Sequence, residues 1–180
     1  EYGRGVSFQE EGNLAEASKA YESALRLNPT LADAHVGRGF IYFSHNDLNR
    51  AMAHFNRAIE LDAELASAHN YRGMVFAAGD DDDRALLSFT RAIQVAPDFS
   101  EAYHNRAVIR ARNQDLDSAI SDMSSVIDLE PQDPRYRYER AELFLASQEM
   151  ESAVEDLERV LMLAGDEALA QRARRLLDLV

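Results

Sequence analysis

The stretch ASAHNYRGMVFAAGDDDDRALLSFTRAIQVAPDF, residues 66–99, decides the fold. Its first part places Tyr71 and Val75 on one helical face, and its second part places Leu86 and Phe89 on another. An acidic turn separates the two parts, and a proline follows the second. The stretch therefore predicts a helical hairpin, and neither helix buries its apolar stripe alone.

The pattern of this stretch recurs along the chain at a period of 34 residues. A period in this range is typical of stacked hairpins that each pack on their neighbours, rather than of one central core. The recurring positions are Arg4, Arg38, Arg72, Arg106 and Arg140; Gly5, Gly39, Gly73, Ala107 and Ala141; Ala17, Ala51, Ala85, Ala119 and Ala153; and Tyr21, Phe55, Phe89, Met123 and Leu157.

These residues resemble the tetratricopeptide repeat (TPR) family, whose unit is a helical hairpin with small residues at the helix crossings and a closing proline. The resemblance covers nearly the whole of residues 1–180 as a single array. It implies an all-α, right-handed superhelical solenoid of antiparallel hairpins with a closing helix. The expected units are 1–31, 32–65, 66–99, 100–133 and 134–167, and the capping helix is expected near 166–180.

Close helix crossings explain the small residues of the pattern without reference to the family. A side chain larger than a methyl group would separate the two axes, so Gly73 is expected to contact Ala85 at the crossing. Phe89 would fill the volume beside that contact. Pro97 lacks an amide hydrogen and disfavours helical geometry at Ala96, so the second helix is expected to end there.

Composition excludes several functional classes. The net charge of −13 and the isoelectric point near 4.7 argue against nucleic acid as the main ligand, because that binding depends on basic residues. A basic protein partner stays open. Cysteine is absent, which excludes disulfide and thiolate chemistry. No apolar run approaches the length of a membrane-spanning helix.

The first unit begins in the middle of its first helix at Glu1, and Gly3 and Gly5 weaken what is left. We expect a hairpin that is either frayed or continued by upstream residues. The location stays open: the cytoplasm is slightly favoured, and a targeting segment upstream of residue 1 is compatible with the sequence.

One face of each first helix is expected to be available to a partner. Val36, Phe40 and Phe43 follow helical spacing on a row that does not face the paired helix. In the family the corresponding face lines the concave surface; packing against the adjacent hairpin is the alternative interpretation. The predicted partner-binding residues are Phe40, Phe43, Asn70, Met74, His104, Asn105, Arg135 and Tyr138.

The recurring arginines have two interpretations, a set of structural ion pairs or a ligand track. We favour ion pairs, because Asp122 and Asp156 would face Arg106 and Arg140 across their hairpins. Helix capping explains part of the acidic run 80–83, which lacks the pattern of a calcium loop.

No catalytic, cofactor or metal site is predicted. His35 and His69 occupy equivalent positions on neighbouring hairpins, too far apart to share one ion. The sequence lacks a phosphate-binding loop, a nucleophile elbow and a His-x-x-x-His pair.

One branch of the family binds acidic chaperone tails through a five-residue basic and amide clamp. The best placement of that clamp on this sequence keeps only Asn105 and Arg135. Chaperone-tail binding is therefore disfavoured.

The sequence thus predicts a non-catalytic scaffold that binds a partner peptide or helix in a concave groove. Two alternatives remain: a substrate-recruiting or regulatory region of a larger enzyme, and a structural protein that assembles with itself.

Overall fold

A computed structural model describes the whole chain from Glu1 to Val180, and it is entirely helical. The eleven helices are α1 (Tyr2–Glu10), α2 (Leu14–Leu27), α3 (Ala32–Ser44), α4 (Leu48–Leu61), α5 (Ala66–Ala78), α6 (Asp82–Val95), α7 (Ser100–Arg112), α8 (Leu116–Leu129), α9 (Pro134–Ala146), α10 (Met150–Leu163) and α11 (Glu167–Leu177).

The helices belong to two compact units. The first unit, Glu1–Pro97, contains α1 to α6, and the second, Asp98–Val180, contains α7 to α11. Within each unit the helices pack as consecutive pairs, and the second helix of a pair also packs on the next helix in the chain. The interpretation of residues 1–180 as a single array stays a prediction.

A large side chain from each second helix forms the centre of each hairpin. Tyr21, Phe55, Phe89, Met123 and Leu157 are all at most 2 % exposed. In the first unit each of these rings lies against a glycine of the paired helix. A Cβ on Gly73 would lie 2.6 Å from the Phe89 ring, and one on Gly39 would lie 2.4 Å from the Phe55 ring.

This arrangement adds a contact to the predicted crossing of Gly73 with Ala85, which itself stays a prediction. Ala85 is fully buried, but the atoms nearest to the Gly73 position all belong to the Phe89 ring. The glycine is needed because a flat ring, rather than a methyl group, lies across the helix. In the second unit alanine replaces glycine at positions 107 and 141, and the facing residues are the aliphatic Met123 and Leu157.

The turn inside each hairpin has a repeated backbone geometry. Its central residue has a positive φ in all five copies: Gly12, Asn46, Asp80, Gln114 and Gln148. Three of the five second helices are then capped by a side chain that accepts a hydrogen bond from the backbone N–H three residues on, those of Asn13, Asp47 and Asp81.

Each second helix ends in a residue with extended or non-helical backbone. Ala96 has φ −130° and ψ 92°, which is the geometry that a following proline favours. Asp62 has nearly the same geometry although Ala63 stands where three of the other units have proline. Proline is therefore not required for this geometry at the end of the second helix.

The last helix covers the final hairpin. Leu169 and Ala173 of α11 are buried in one cluster with Tyr138, Leu157 and Val160. The opposite side of α11 is exposed and basic.

Candidate functional site

The predicted ion pairs between the recurring arginines and the aspartates are confirmed in the second unit. Arg106 donates from Nε and Nη2 to the Asp122 carboxylate at 2.9 and 2.7 Å, and Arg140 donates in the same way to Asp156 at 2.7 and 2.8 Å. Both carboxylates are 3 % exposed. Because each pair is bidentate and buried, these arginines hold the hairpins together rather than face a ligand.

The recurring arginines of the first unit have different hydrogen-bond partners. Arg38 donates to the Ser18 hydroxyl at 2.6 Å and to the Tyr42 hydroxyl at 2.8 Å. The Nε of Arg72 is 3.4 Å from the Ser88 hydroxyl. None of these guanidinium groups faces a buried carboxylate, so the repeated arginine keeps its place while its partners change.

The acidic run 80–83 is explained by the turn and the helix that follows. Asp80 adopts the positive φ of the turn, and Asp81 caps α6 through the Arg84 amide at 3.1 Å. Asp82 and Asp83 lie in the first turn of α6, where the helix dipole favours negative charge. No group of three or more His, Asp or Glu side chains is arranged to hold a metal ion.

Two histidines form a contact that the spacing argument missed. The Nδ1 atoms of His35 and His54 are 3.1 Å apart, and the His35 Nε2 donates to the Pro29 carbonyl at 3.1 Å. Burial, followed by the charges of His35 and Arg38, lowers the pKa of His54 to about 4. His54 is therefore neutral at pH 7, and the pair is a structural hydrogen bond on the α3–α4 hairpin.

The predicted partner-binding residues of the first unit differ in their accessibility. Phe40 is half-buried, and its ring centroid is 5.6 Å from that of Tyr71. Phe43 packs against the core cluster of α3, α4 and α5, so the packing interpretation describes part of its surface. Met74 is half-buried, whereas Asn70 is fully buried and presents no surface to a partner in this conformation.

The first unit contains a pocket between α1, α3 and α5, which we call the aromatic pocket. Its volume is about 180 Å³. Burial raises the pKa of Tyr21 to about 12, and the neighbouring Tyr2 and Tyr71 hydroxyls add to that effect. The residues that define it are Tyr2, Tyr21, Asp33, Val36, Phe40 and Tyr71.

The predicted residues of the second unit are largely occupied by neighbours. The His104 Nε2 is 2.6 Å from the Glu139 carboxylate, and Arg135 pairs with Asp133 at 3.0 Å. Asn105 is half-buried. Tyr138 is 6 % exposed, because α11 covers it, which differs from the accessible position expected for it.

A second pocket, which we call the acidic-rimmed pocket, lies between α7, α8 and α9. Its volume is about 200 Å³. Val108 beside it is 50 % exposed, a large value for a valine on a packed helix. The lining combines apolar side chains with two carboxylates: Ala107, Val108, Ala111, Met123, Glu139, Glu142 and Leu143.

The aromatic pocket is not among the sites predicted from the sequence. From the sequence, Tyr71 is expected to pack in its hairpin, and Tyr2 lies in the weakened first helix. The sequence pattern gives no role to Asp33. The signal that could have found the pocket is the 34-residue register, which places Tyr2, Val36 and Asn70 at equivalent positions on successive first helices.

No helix of the chain combines the length and apolar character needed to cross a bilayer.

Comparison with known proteins gives the fold an independent basis. The family described as TPR repeat matches residues 5–46 and 41–80, and the family described as Tetratricopeptide repeat matches residues 72–129 and 104–170. The second of these spans more than half of the chain. No curated protein sequence matches.

Several solved structures are similar to the chain. PilF of Pseudomonas aeruginosa superposes with a TM-score of 0.83 at 19% identity, over 97% of this chain and 81% of that protein. TTC0263, a thermophilic TPR protein of Thermus thermophilus, gives a TM-score of 0.76 at 20% identity, over 96% and 95%. YrrB, described as a TPR protein with an unusual peptide-binding site, gives 0.71 at 23% identity, over 95% and 88%.

The chain belongs to the tetratricopeptide repeat family. The resemblance inferred from the 34-residue period is confirmed, and so is the fold class, an all-α TPR solenoid of helical hairpins. Family membership supports a role as a protein-interaction scaffold.

Proposed function

We propose that this protein is a non-catalytic scaffold that holds an extended segment or helix of a partner protein in a groove formed by the first helices of its repeats. The observation that carries the proposal is the apolar surface left on those helices in each unit. Phe40 and Met74 are half-buried in the first unit, and Val108 is 50 % exposed in the second.

The chemistry of the remaining side chains supports binding rather than catalysis. The buried aspartates are saturated by arginine, and the His35–His54 pair is hydrogen-bonded internally. The two pockets on the first helices are about 180 and 200 Å³, smaller than the 300 Å³ or more typical of cofactor sites. Pockets of this size accommodate single side chains of a partner, which act as anchors.

YrrB offers a parallel from the same family. It is described as having an unusual peptide-binding site, and its structure covers 95% of this chain. At 23% identity the likeness shows a common fold, so peptide binding by the present chain is our inference from its own surface.

Affinity capture with the intact chain tests the proposal. We expect the Phe40→Ala and Met74→Ala double variant to lose one specific protein, identified by mass spectrometry. Leu87→Ala is the matched control, because Leu87 is an apolar residue of α6 that is 70 % exposed and lies away from both pockets. Retention of every partner by the double variant would contradict the proposal for the first unit.

The second unit has its own test. Val108→Ser is expected to weaken capture of the partner, with Met162→Ser as the control, because Met162 is 72 % exposed on α10. An equal effect of the two substitutions would show that the partner does not use the acidic-rimmed pocket. Phe43 is left unchanged in both experiments, because it packs against the core cluster of α3, α4 and α5. Phe40 also packs against a core cluster, so circular dichroism checks that the double variant is folded.

A further inference from the structure

The aromatic pocket contains one charge, and that charge has no internal partner. Asp33 is the sole charged residue among those that line the pocket, and no ion pair joins it to a basic side chain. The nearby arginines are engaged elsewhere: Arg4 pairs with Glu1 at 3.1 Å, and Arg38 donates to Ser18 and Tyr42. A ligand that enters the pocket therefore meets, at its exposed edge, a carboxylate that no basic side chain pairs with.

The aromatic rings around Asp33 favour a cation of a particular kind. Tyr2 and Tyr21 are 6.0 Å apart between ring centroids, and Phe40 and Tyr71 are 5.6 Å apart. The face of an aromatic ring attracts cations through its quadrupole. Asp33 and Tyr2 both line the pocket, and burial, followed by the charge of Asp33, raises the pKa of the Tyr2 hydroxyl.

In the second unit, a cation of the chain itself covers the aromatic ring that corresponds to Tyr2. Tyr138 lies 136 residues after Tyr2, which is four periods of 34. The guanidinium carbon of Arg172 is 4.5 Å from the centre of the Tyr138 ring. Burial, followed by the Glu142 carboxylate, raises the pKa of Tyr138. A ring at this register position therefore accepts a guanidinium in the presence of a carboxylate.

The first unit supplies no such cation. The residue four periods before Arg172 is Val36, which is 8 % exposed and lines the aromatic pocket. Valine leaves the Tyr2 ring without the guanidinium that covers Tyr138. The two units share the ring position but not the source of the carboxylate, because Val6 is the counterpart of Glu142 and Leu169 is the counterpart of Asp33. In the first unit a cation on the ring must come from another molecule.

The size and lining of the pocket select a single long side chain. A volume of about 180 Å³ is too small for a drug-sized ligand. Val6 and Val36 can cover the methylene groups of such a side chain while its charged end meets Asp33. Arginine suits the rings better than lysine, because its planar guanidinium stacks on aromatic faces and is more weakly hydrated.

We propose that the aromatic pocket binds an arginine side chain of the partner protein, with its guanidinium between the Tyr2 ring and the Asp33 carboxylate. This inference rests on the proposed scaffold function and names the chemistry of one partner residue. The net charge of −13 also favours a basic segment of the partner.

A pair of isosteric probes tests the proposal. N-acetyl-arginine methylamide and N-acetyl-citrulline methylamide differ in charge but hardly in shape, and their binding to the full chain is followed by the aromatic NMR signals of Tyr2 and Phe40. We expect the arginine probe to shift these signals at millimolar concentration and the citrulline probe to leave them unchanged. Equal shifts with both probes would overturn the proposal, as would stronger binding of the lysine or trimethyl-lysine analogue.

Two variants locate the binding. Asp33→Asn is expected to weaken the arginine probe about threefold to tenfold, because the charge-assisted contact is lost. Asp83→Asn is the matched control, since both aspartates lie in the first turn of a helix and Asp83 is outside the pocket. Equal affinity in the two variants would refute the role of Asp33.

The same variants separate this inference from the scaffold function. If Asp33→Asn captures the partner as well as the intact chain does while Phe40→Ala with Met74→Ala does not, the scaffold stands and the arginine inference fails. If neither variant changes capture, both fail for the first unit.

Discussion

The Phe89 ring lies directly across Gly73, so closely that a Cβ at position 73 would be 2.6 Å from the ring. The ring is 1 % exposed and cannot swing out without opening the hairpin. The equivalent pair in the fourth repeat is Ala107 with Met123, both buried. A flat ring requires glycine, whereas a flexible thioether tolerates the methyl group of alanine.

Gly73→Ala is therefore expected to lower the free energy of unfolding by about 1–3 kcal/mol, the usual cost of overpacking. Phe89→Met alone should also destabilise, since it removes ring contacts from a full core. The double variant reproduces the fourth-repeat pair and should recover at least half of the summed loss. Urea denaturation of the unchanged chain, the two single variants and the double variant gives the coupling energy between positions 73 and 89. If the double variant loses the sum of the two single losses, the sizes of the two residues are not coupled and the prediction is wrong.

Asp156→Asn should destabilise the second unit by about 3 kcal/mol, because the partly buried Arg140 would lose its anionic partner. Asp156 also accepts from Arg137 at 3.4 Å, so two guanidinium groups lose their counter-charge. The neighbouring Glu155→Gln is the control, as Glu155 is exposed and should change stability by less than about 0.5 kcal/mol. Hydrogen exchange should accelerate in α9 and α10 for the first variant alone.

The positive φ of the hairpin turns gives a stabilising substitution. Gln148 has φ 67°, a conformation that costs a residue with a Cβ about 1–2 kcal/mol but costs glycine nothing. The larger backbone entropy of glycine offsets about 0.5–1 kcal/mol of that gain. Gln148→Gly should thus raise the free energy of unfolding by about 0.5 kcal/mol, while Gly12→Ala, at φ 74°, should lower it. A lower melting temperature for Gln148→Gly would count against this account.

Stability is expected to fall as the pH drops below 6.5. The pKa of His54 is lowered from 6.5 to about 4 by burial and by His35 and Arg38, and that of His69 is lowered chiefly by burial. Between these values the unfolded chain binds more protons than the folded chain, so the stability present above pH 6.5 is lost as the pH falls toward 4.

For His54, which is partly exposed, the loss between pH 7 and pH 5 should be on the order of 1 kcal/mol after allowance for solvent screening. Urea denaturation at the two pH values measures it. His54→Gln should reduce the difference between pH 7 and pH 5. An unchanged difference in His54→Gln would rule out His54 as its source.

Packing of α11 on the last hairpin predicts a contrast between two leucines. Leu169 is 9 % exposed in the cluster with Tyr138, and Leu179 is 81 % exposed. Leu169→Ala should cost about 2–3 kcal/mol, whereas Leu179→Ala should cost less than about 0.5 kcal/mol. Thermal unfolding followed by circular dichroism distinguishes them, and equal melting temperatures would mean that α11 does not stabilise the hairpin.

The sequence predicts the features of this fold that depend on spacing alone. The 34-residue period fixes which residues share a helix face, and it is enough to place Arg106 opposite Asp122. The structure adds contacts that depend on how two helices cross. Phe89 over Gly73 is one example, since the pattern shows a small and a large residue but not which of them meet.

The pockets are harder to predict for a similar reason. Tyr2 and Asp33 are 31 residues apart and lie on different hairpins, so only the packing of α1 against α3 brings them to one place. Asn70 and Tyr138 follow the same helical row as Phe40, yet neighbouring side chains bury them. Spacing assigns a residue to a face, whereas its accessibility depends on the size of the residues beside it.

The hairpin centres are of two types: a ring type, in which glycine faces an aromatic ring, and a thioether type, in which alanine faces methionine. The close contact in the ring type affects the order in which substitutions could convert one type into the other. If Phe89 is replaced by methionine first, unfilled space is left beside Gly73 and the hairpin can still fold. Adding a methyl group to Gly73 first forces atoms into the ring. A lineage that moves from the ring type to the thioether type therefore meets a cavity if the ring shrinks first and a clash if the methyl group is added first. A lineage moving back avoids the clash if it removes the methyl group before it restores the ring.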